Sequence, residues 1–152
     1  MVFRPEMHSG EMPLGYDKLN DFVVALANKI SQSYAPDTIV AIARGGLVPA
    51  VILSHLLGDV PLIPIALSYY DGALRWAQVL PADGIRGRRV LIVDDITVRG
   101  GTLAAVYDKC LAYSATDVKT AVMILHPSAP GADFYAVITD AKPLFPWDGI
   151  SV

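Results

Sequence analysis

Apolar residues recur at helical spacing in some stretches of this chain and run unbroken in others, and the two kinds of stretch alternate. In Tyr16–Tyr34, the residues Leu19, Phe22, Val23, Leu26 and Ile30 share one helical face, which predicts an amphipathic helix. Thr38–Ala43 is a short, continuously apolar run that predicts a buried strand. It ends at Arg44-Gly45-Gly46, beyond which Leu47–Leu57 is hydrophobic over a helix's length. Leu62–Ser68 and Val90–Val93 repeat the strand signal. After the second of these, Arg99-Gly100-Gly101 turns the chain into a helix marked by Leu103, Val106, Tyr107, Cys110 and Leu111. Val118–Leu125 and Phe134–Ile138 are the last predicted strands, separated by a Pro127–Asp133 loop.

Three segments carry no such period. Residues 1–15 read as an arm, residues 69–87 as a long mobile loop or a hairpin, and residues 141–152 as a tail. Continuous apolar strands alternating with helices imply a parallel sheet covered on both faces, because each parallel crossover lays a helix over the sheet. The expected fold is therefore α/β: a single domain over residues 1–152, with a mostly parallel twisted sheet flanked by helices.

Composition narrows the function. A chain of 152 residues suits one domain, and 53% hydrophobic against 18% charged residues lies outside the disordered range. A net charge of -3 offers no basic field for nucleic acid, so a small substrate is expected. Cys110 stands alone, which excludes an internal disulfide and fits the cytoplasm. No apolar run approaches the roughly 18 residues of a membrane span, and no signal-peptide pattern is expected at the N-terminus.

In open parallel sheets ligands sit beyond the carboxyl ends of the strands, so both glycine turns point to one crevice. At the second turn, residues Val98 to Thr102 (Val98, Arg99, Gly100, Gly101, Thr102) offer successive backbone N–H groups at a helix N-terminus, where dipole and unpaired donors suit a phosphate. Upstream, Asp94 and Asp95 leave the strand where carboxylates could accept hydrogen bonds from ribose hydroxyls. The plainer alternative is ordinary turn chemistry.

The run Val90-Leu91-Ile92-Val93-Asp94-Asp95-Ile96-Thr97-Val98-Arg99-Gly100-Gly101-Thr102 resembles the phosphoribosyl pyrophosphate signature of the type I phosphoribosyltransferases. Ala43-Arg44-Gly45-Gly46-Leu47-Val48-Pro49 resembles the pyrophosphate loop of the xanthine-guanine branch, Ser68-Tyr69 the start of its mobile loop, and Phe145-Pro146-Trp147-Asp148 its base-covering hood. The resemblance spans Tyr16 to Ile150. It implies the type I fold with a small C-terminal hood at 141–152, and transfer of phosphoribosyl from phosphoribosyl pyrophosphate to a purine, displacing pyrophosphate.

The roles it implies are specific. Asp94, Asp95 and Arg44 would act on the substrate, with Asp94 and Asp95 also holding Mg2+ through water. Pyrophosphate would lie on Ala43, Arg44, Gly45, Gly46, Ser68 and Tyr69, at a loop with a cis peptide, and the ribose 5-phosphate on Val98–Thr102. His126, Phe145, Trp147 and Asp148 would meet the base, and residues 69–87 would form the lid. The family also implies a homodimer or higher oligomer.

The chain departs from the branch at points that concern the base. Val98 stands where the 6-oxopurine enzymes carry an Asp that manages a purine proton, and valine accepts none. Arg99 replaces a Thr and either contacts the phosphate or points into solvent. His126 replaces a Lys that donates to the purine oxygen; a histidine donates or accepts, and so admits an amino group as well as an oxygen, or is merely structural. The branch's stacking Trp aligns near Lys142, which leaves Phe145 or Trp147 as cover, or Trp147 as a C-terminal plug. Three functions stay open: a 6-oxopurine transferase, the same chemistry on adenine or a pyrimidine, and a sensor that binds without turnover.

Overall fold

A computed structural model of the chain describes residues 10–148. Its elements are β1 (Glu11–Pro13), α1 (Tyr16–Ser31), β2 (Thr38–Ala43), α2 (Leu47–Leu56), β3 (Leu62–Tyr70), β4 (Ala73–Trp76), β5 (Arg89–Thr97), α3 (Gly101–Ala112), β6 (Asp117–Leu125), β7 (Phe134–Ile138) and β8 (Lys142–Leu144). Six strands form one sheet in the order β4-β3-β2-β5-β6-β7. All neighbours in it are parallel except the β3–β4 pair. The expected α/β fold is the observed one.

The sheet is covered on both faces because its central strands are apolar on both. Ile39, Ala41, Leu91 and Val93 join a core under α1 and α2, with Leu19, Val23, Leu26 and Ile30 supplying the helix side. Val40, Ile42, Val90 and Ile92 face the other way, into a core closed by Leu103, Val106 and Cys110 of α3. Burial of Cys110 pushes its thiol up to about 12, so it packs as a small apolar side chain.

Several boundaries differ from the predicted ones, each for a local reason. α1 stops at Ser31, and the N–H groups of Ser33 and Tyr34 both return to the Ile30 carbonyl, closing the helix ahead of Pro36. β5 runs on through Asp94–Thr97, because pairing with β6 continues to Thr97↔Leu125 after the apolar pattern has ended. Residues 69–76 belong to a hairpin, with Tyr69 and Tyr70 paired to Leu74 and Ala73. Its turn residues Asp71 (φ 50°) and Gly72 (φ 76°) are both left-handed, the geometry that an Asp-Gly pair favours. Further along, Leu80 and Ile85 are buried in the second core. The arm and the tail also hold structure: β1 pairs in parallel with β8. Residues 1–9 and 149–152, the outer parts of the expected arm and hood, lie outside the described residues.

At the amino ends of the central strands, Asp37 clamps the start of β5. Its carboxylate accepts from the Arg89 backbone N–H (2.8 Å), Nε (3.1 Å) and Nη2 (2.9 Å). The Arg89 hydrogen bonds hold the Asp37 carboxyl down at about 2. A carboxyl depressed in the fold stabilises above its unfolded value of about 3.9 and loses that contribution as pH falls through the folded one. In thermal melts Asp37→Ala should fall a few degrees below wild type at pH 7, with the gap closing by pH 2. The pair is exposed, so the gap should also shrink in salt.

Candidate active site

The order of the strands creates one crevice. From β2 the chain crosses through α2 to β3 on one side, and from β5 through α3 to β6 on the other. The connections part between β2 and β5, and ligands of open parallel sheets sit beyond such a switch point. Pairing between these two strands ends at Ala41↔Val93. Beyond it, residues 42–46 and 94–97 no longer pair with each other, and they flank the crevice from its two sides.

Gly45 and Gly46 occupy the narrow place between those ends. A Cβ on Gly45 would fall on the Asp95 carboxyl group. One on Gly46 would lie 2.5 Å from the Ile42 carbonyl oxygen and 2.6 Å from that of Val93. These glycines therefore do more than permit a turn; they let the first loop lie directly against the acidic pair. The Ala43–Arg44 peptide is cis, and the Arg44 side chain is exposed.

Asp94 and Asp95 are fixed by the backbone that follows each. Asp94 Oδ1 accepts the Asp95 N–H and Asp95 Oδ1 the Ile96 N–H, both at 2.8 Å. Burial first, and then the charge of Asp95, raise the Asp94 carboxyl well above the usual carboxylate range. A carboxyl pair with one member disposed to hold a proton is a strong hydrogen-bonding site for vicinal hydroxyls.

The next turn opens α3. Gly100, at φ 76°, takes the left-handed conformation that favours glycine, and no side chain caps the helix N-terminus. Its first-turn N–H groups are thereby left for an anion. Val98 and Thr102 are half-buried there, and Arg99 and Gly101 exposed. The loop after β6 closes over this turn, since a Cβ on Gly100 would meet the Pro130 ring at 2.6 Å. That loop is tied down by Asp133, whose carboxylate accepts from the Thr120 N–H (2.8 Å) and hydroxyl (3.1 Å).

The structure thus brings Ala43–Gly46, Asp94–Asp95 and Val98–Thr102 to one crevice. β3 outruns β2, for Ala43 pairs with Ala66, so the backbone of Ser68 and Tyr69 overhangs the same end of the sheet. The side chains of Ser68 and Tyr69 lie outside the described part. His126 follows β6, and its N–H donates to the Thr97 carbonyl (3.0 Å), which fixes its backbone near the turn that opens α3. In the hood, Phe145 is a core residue, 3% exposed, which corrects the expectation that its ring is a free cover. Trp147 stacks on it, ring centroids 4.7 Å apart and 6° from parallel, and is half-buried. Asp148 closes the hood's own turn by accepting the Phe145 N–H (3.2 Å).

Sequence reasoning missed the contact between Gly45 and Asp95, which no spacing rule announces, and the part of Ser128, which bonds the His126 ring. A serine two residues beyond a histidine, in a turn begun by Pro127, was the available signal. Among the described residues no group of three or more His, Cys, Asp or Glu could cage a metal ion. Asp94 and Asp95, near the carboxyl end of β5, are the oxygen donors that a hard cation bound largely through water would use.

The chain matches the family model of the phosphoribosyl transferase domain over residues 15–151. It belongs to the phosphoribosyltransferase family. Its type I class and its likeness to the xanthine-guanine branch rest on the first two of the following relatives, and the third shares the fold. A xanthine-guanine phosphoribosyltransferase of Nitratidesulfovibrio vulgaris is 31% identical over 142 residues, 90% of this chain and 83% of the relative. A purine phosphoribosyltransferase from Pyrococcus horikoshii superimposes with a TM-score of 0.86 at 35% identity, over 93% of this chain and 97% of that one. The xanthine-guanine-hypoxanthine phosphoribosyltransferase of Helicobacter pylori shares the fold, with a TM-score of 0.80 at 23% identity, over 91% and 94% of the two chains. The protein is accordingly a phosphoribosyltransferase enzyme.

Proposed function

We propose that this phosphoribosyltransferase transfers the 5-phosphoribosyl group of phosphoribosyl pyrophosphate to a 6-oxopurine (hypoxanthine, guanine or xanthine), giving the nucleoside monophosphate and pyrophosphate in purine salvage. The observation that carries it is the contact of the Gly45 backbone with the Asp95 carboxyl group at the split between β2 and β5, beside the uncapped start of α3. Sites for a sugar, a phosphate and a second anion then lie within one crevice.

In this reading the α3 amides and the Thr102 hydroxyl hold the 5-phosphate, and Arg99 adds charge beside it. Asp94 and Asp95 accept hydrogen bonds from the two ribose hydroxyls and favour the positive charge that grows on the ring as the glycosidic bond breaks. Arg44, with the backbone of Ala43, Gly45 and Gly46 and with Ser68 and Tyr69, binds the departing pyrophosphate, and of the expected 69–87 lid the β3–β4 hairpin covers it, since Leu80 and Ile85 are anchored in the second core. The base lies toward His126, with Trp147 as its cover and Asp148 shaping the turn that carries Trp147. Such a reaction is carried mainly by positioning and by charges set in advance, with water kept from the reacting carbon. Mg2+, held by Asp94 and Asp95 through water, would neutralise charge on the leaving pyrophosphate.

Incubation with phosphoribosyl pyrophosphate, Mg2+ and each of hypoxanthine, guanine, xanthine and adenine tests the proposal: nucleotide is expected with at least one of the three oxopurines, and silence with all of them overturns it. A second reading, the same transfer to a base that needs no proton managed at the loop, is favoured by Val98. Product with adenine, orotate or uracil alone would select it.

A homodimer in the cytoplasm goes with this proposal. Helix α2 is apolar around most of its circumference, yet Val51 and Leu56 stand 58% and 47% exposed. A helix hydrophobic on every side ordinarily has a partner on every side. Light scattering should give a mass of at least two chains; a monomer at micromolar concentration would reject the pairing.

A further inference from the structure

The loop between β6 and β7 is pinned at both ends. At its start the His126 N–H donates to the Thr97 carbonyl (3.0 Å), the Ala129 N–H to the His126 carbonyl (2.9 Å) and the Ser128 N–H to His126 Nδ1 (3.1 Å). At its far end Thr120 and Asp133 lock each other. The Asp133 carboxylate accepts from the Thr120 N–H (2.8 Å) and hydroxyl (3.1 Å), and the same hydroxyl oxygen accepts from the Asp133 N–H (3.0 Å). Thr120 is only 9% exposed, so water competes little for these bonds.

Between the pins, Pro130 reaches the turn that opens α3. A Cβ on Gly100 would lie 2.6 Å from Pro130 Cγ and 3.0 Å from Cδ, so the ring already touches the Gly100 backbone. Gly100 is the residue whose φ of 76° turns the chain into the helix, and its carbonyl accepts the Ala104 N–H (2.9 Å). Whatever moves Gly100 therefore moves the first turn of α3. Beside this contact the packing is incomplete: a cavity of about 220 Å3 lies between Leu103 and Tyr107 of α3 and Pro130 and Gly131 of the loop. A void supplies no dispersion contacts, so the Pro130 ring at its rim carries the support. Pro130 is itself exposed, and neither core depends on it.

We propose that Pro130 is a positioning residue for the phosphate: its ring, held by the pinned loop, braces Gly100 so that the first amides of α3 stand in place before the anion arrives. This rests on the reading of that turn as the 5-phosphate site. Proline suits the task because its φ is fixed and its ring has almost no rotamer freedom to lose. Amides set in advance bind an anion without the cost of ordering them at that moment.

Calorimetric titration of the whole chain with ribose 5-phosphate tests it. Pro130→Gly should weaken binding about 5- to 20-fold, while the melting temperature falls by no more than about 4 °C. Pro130→Val, which returns γ carbons to the neighbourhood of Gly100, should stay within about 3-fold of wild type. In turnover, Pro130→Gly should raise KM for phosphoribosyl pyrophosphate and leave kcat nearly unchanged, the pattern of lost uniform binding. A merely structural defect would lower kcat and the melting temperature instead, and that result counts against the proposal. Unchanged affinity in Pro130→Gly, or an equal loss in the Gly and Val variants, overturns it while leaving the phosphate site standing. Absence of ribose 5-phosphate binding by the wild type would overturn the phosphate reading and this inference with it.

Discussion

Gly46→Ala should unfold the protein at a temperature about 5–15 °C below wild type, whereas Gly15→Ala should leave the melting point nearly unchanged. The added methyl at 46 would meet the carbonyl oxygens of Ile42 and Val93 at 2.5 and 2.6 Å and the Asp94 Cα at 3.0 Å. These are backbone atoms of two adjoining strands, and none can swing aside as a flexible side chain would. Relief requires the ends of β2 and β5 to move apart, which by analogy with other overpacked sites costs about 2–4 kcal/mol, each kcal/mol being worth roughly 2–4 °C at this chain length. At Gly15 a Cβ would meet nothing within 4 Å, and φ is -81°. Equal melting points for the two variants would show that the strand ends are looser than described.

Asp94→Asn should separate stability from activity. A carboxyl raised in the fold contributes stability that is fully present below its unfolded value of about 3.9 and is lost as pH rises through the folded one. Above that point the native protein holds a charge that its surroundings oppose, by burial and by Asp95. The amide removes that charge while its oxygen still accepts the Asp95 N–H. The variant should therefore melt above wild type at pH 7.5 and close to it at pH 4. Turnover should fall on the order of 100-fold or more, as when one preorganised electrostatic partner of a transition state is removed. A variant that melts lower at pH 7.5 would contradict the opposed-charge account, and wild-type turnover would remove Asp94 from the site.

The two predictions share an origin: function has been built into the most constrained part of the sheet. The first-turn amides of α3, the acidic pair and the glycine loop are all terminal features of buried strands, so the core that stabilises the fold also sets their spacing. This explains which parts were legible in the sequence. The apolar runs of β2, β3, β5, β6 and β7 announced themselves: the central strands β2 and β5 are buried on both faces, and the edge strand β7 is apolar though only half-buried. The turns after β2 and β5 were legible from their glycines and acids.

What stayed hidden lacks such a pattern. β1 and β8 are each only three residues long, and Glu11 and Lys142 at their starts are polar, so only their mutual pairing makes them strands. The hairpin at Asp71-Gly72 was readable from its turn pair, but the burial of Leu80 and Ile85 depends on a distant core. Phe145 looked like a hood residue by its neighbours Pro146 and Trp147, yet β8 delivers it into the first core.

The central claim is that the crevice between β2 and β5 carries out phosphoribosyl transfer to a 6-oxopurine. Its most direct measurement is a stoichiometric assay with phosphoribosyl pyrophosphate, Mg2+ and hypoxanthine, guanine or xanthine, following nucleotide and pyrophosphate together. The account predicts one pyrophosphate released for each nucleotide formed, with at least one of the three bases. Calorimetric binding of phosphoribosyl pyrophosphate with neither product formed would contradict it and make the chain a sensor.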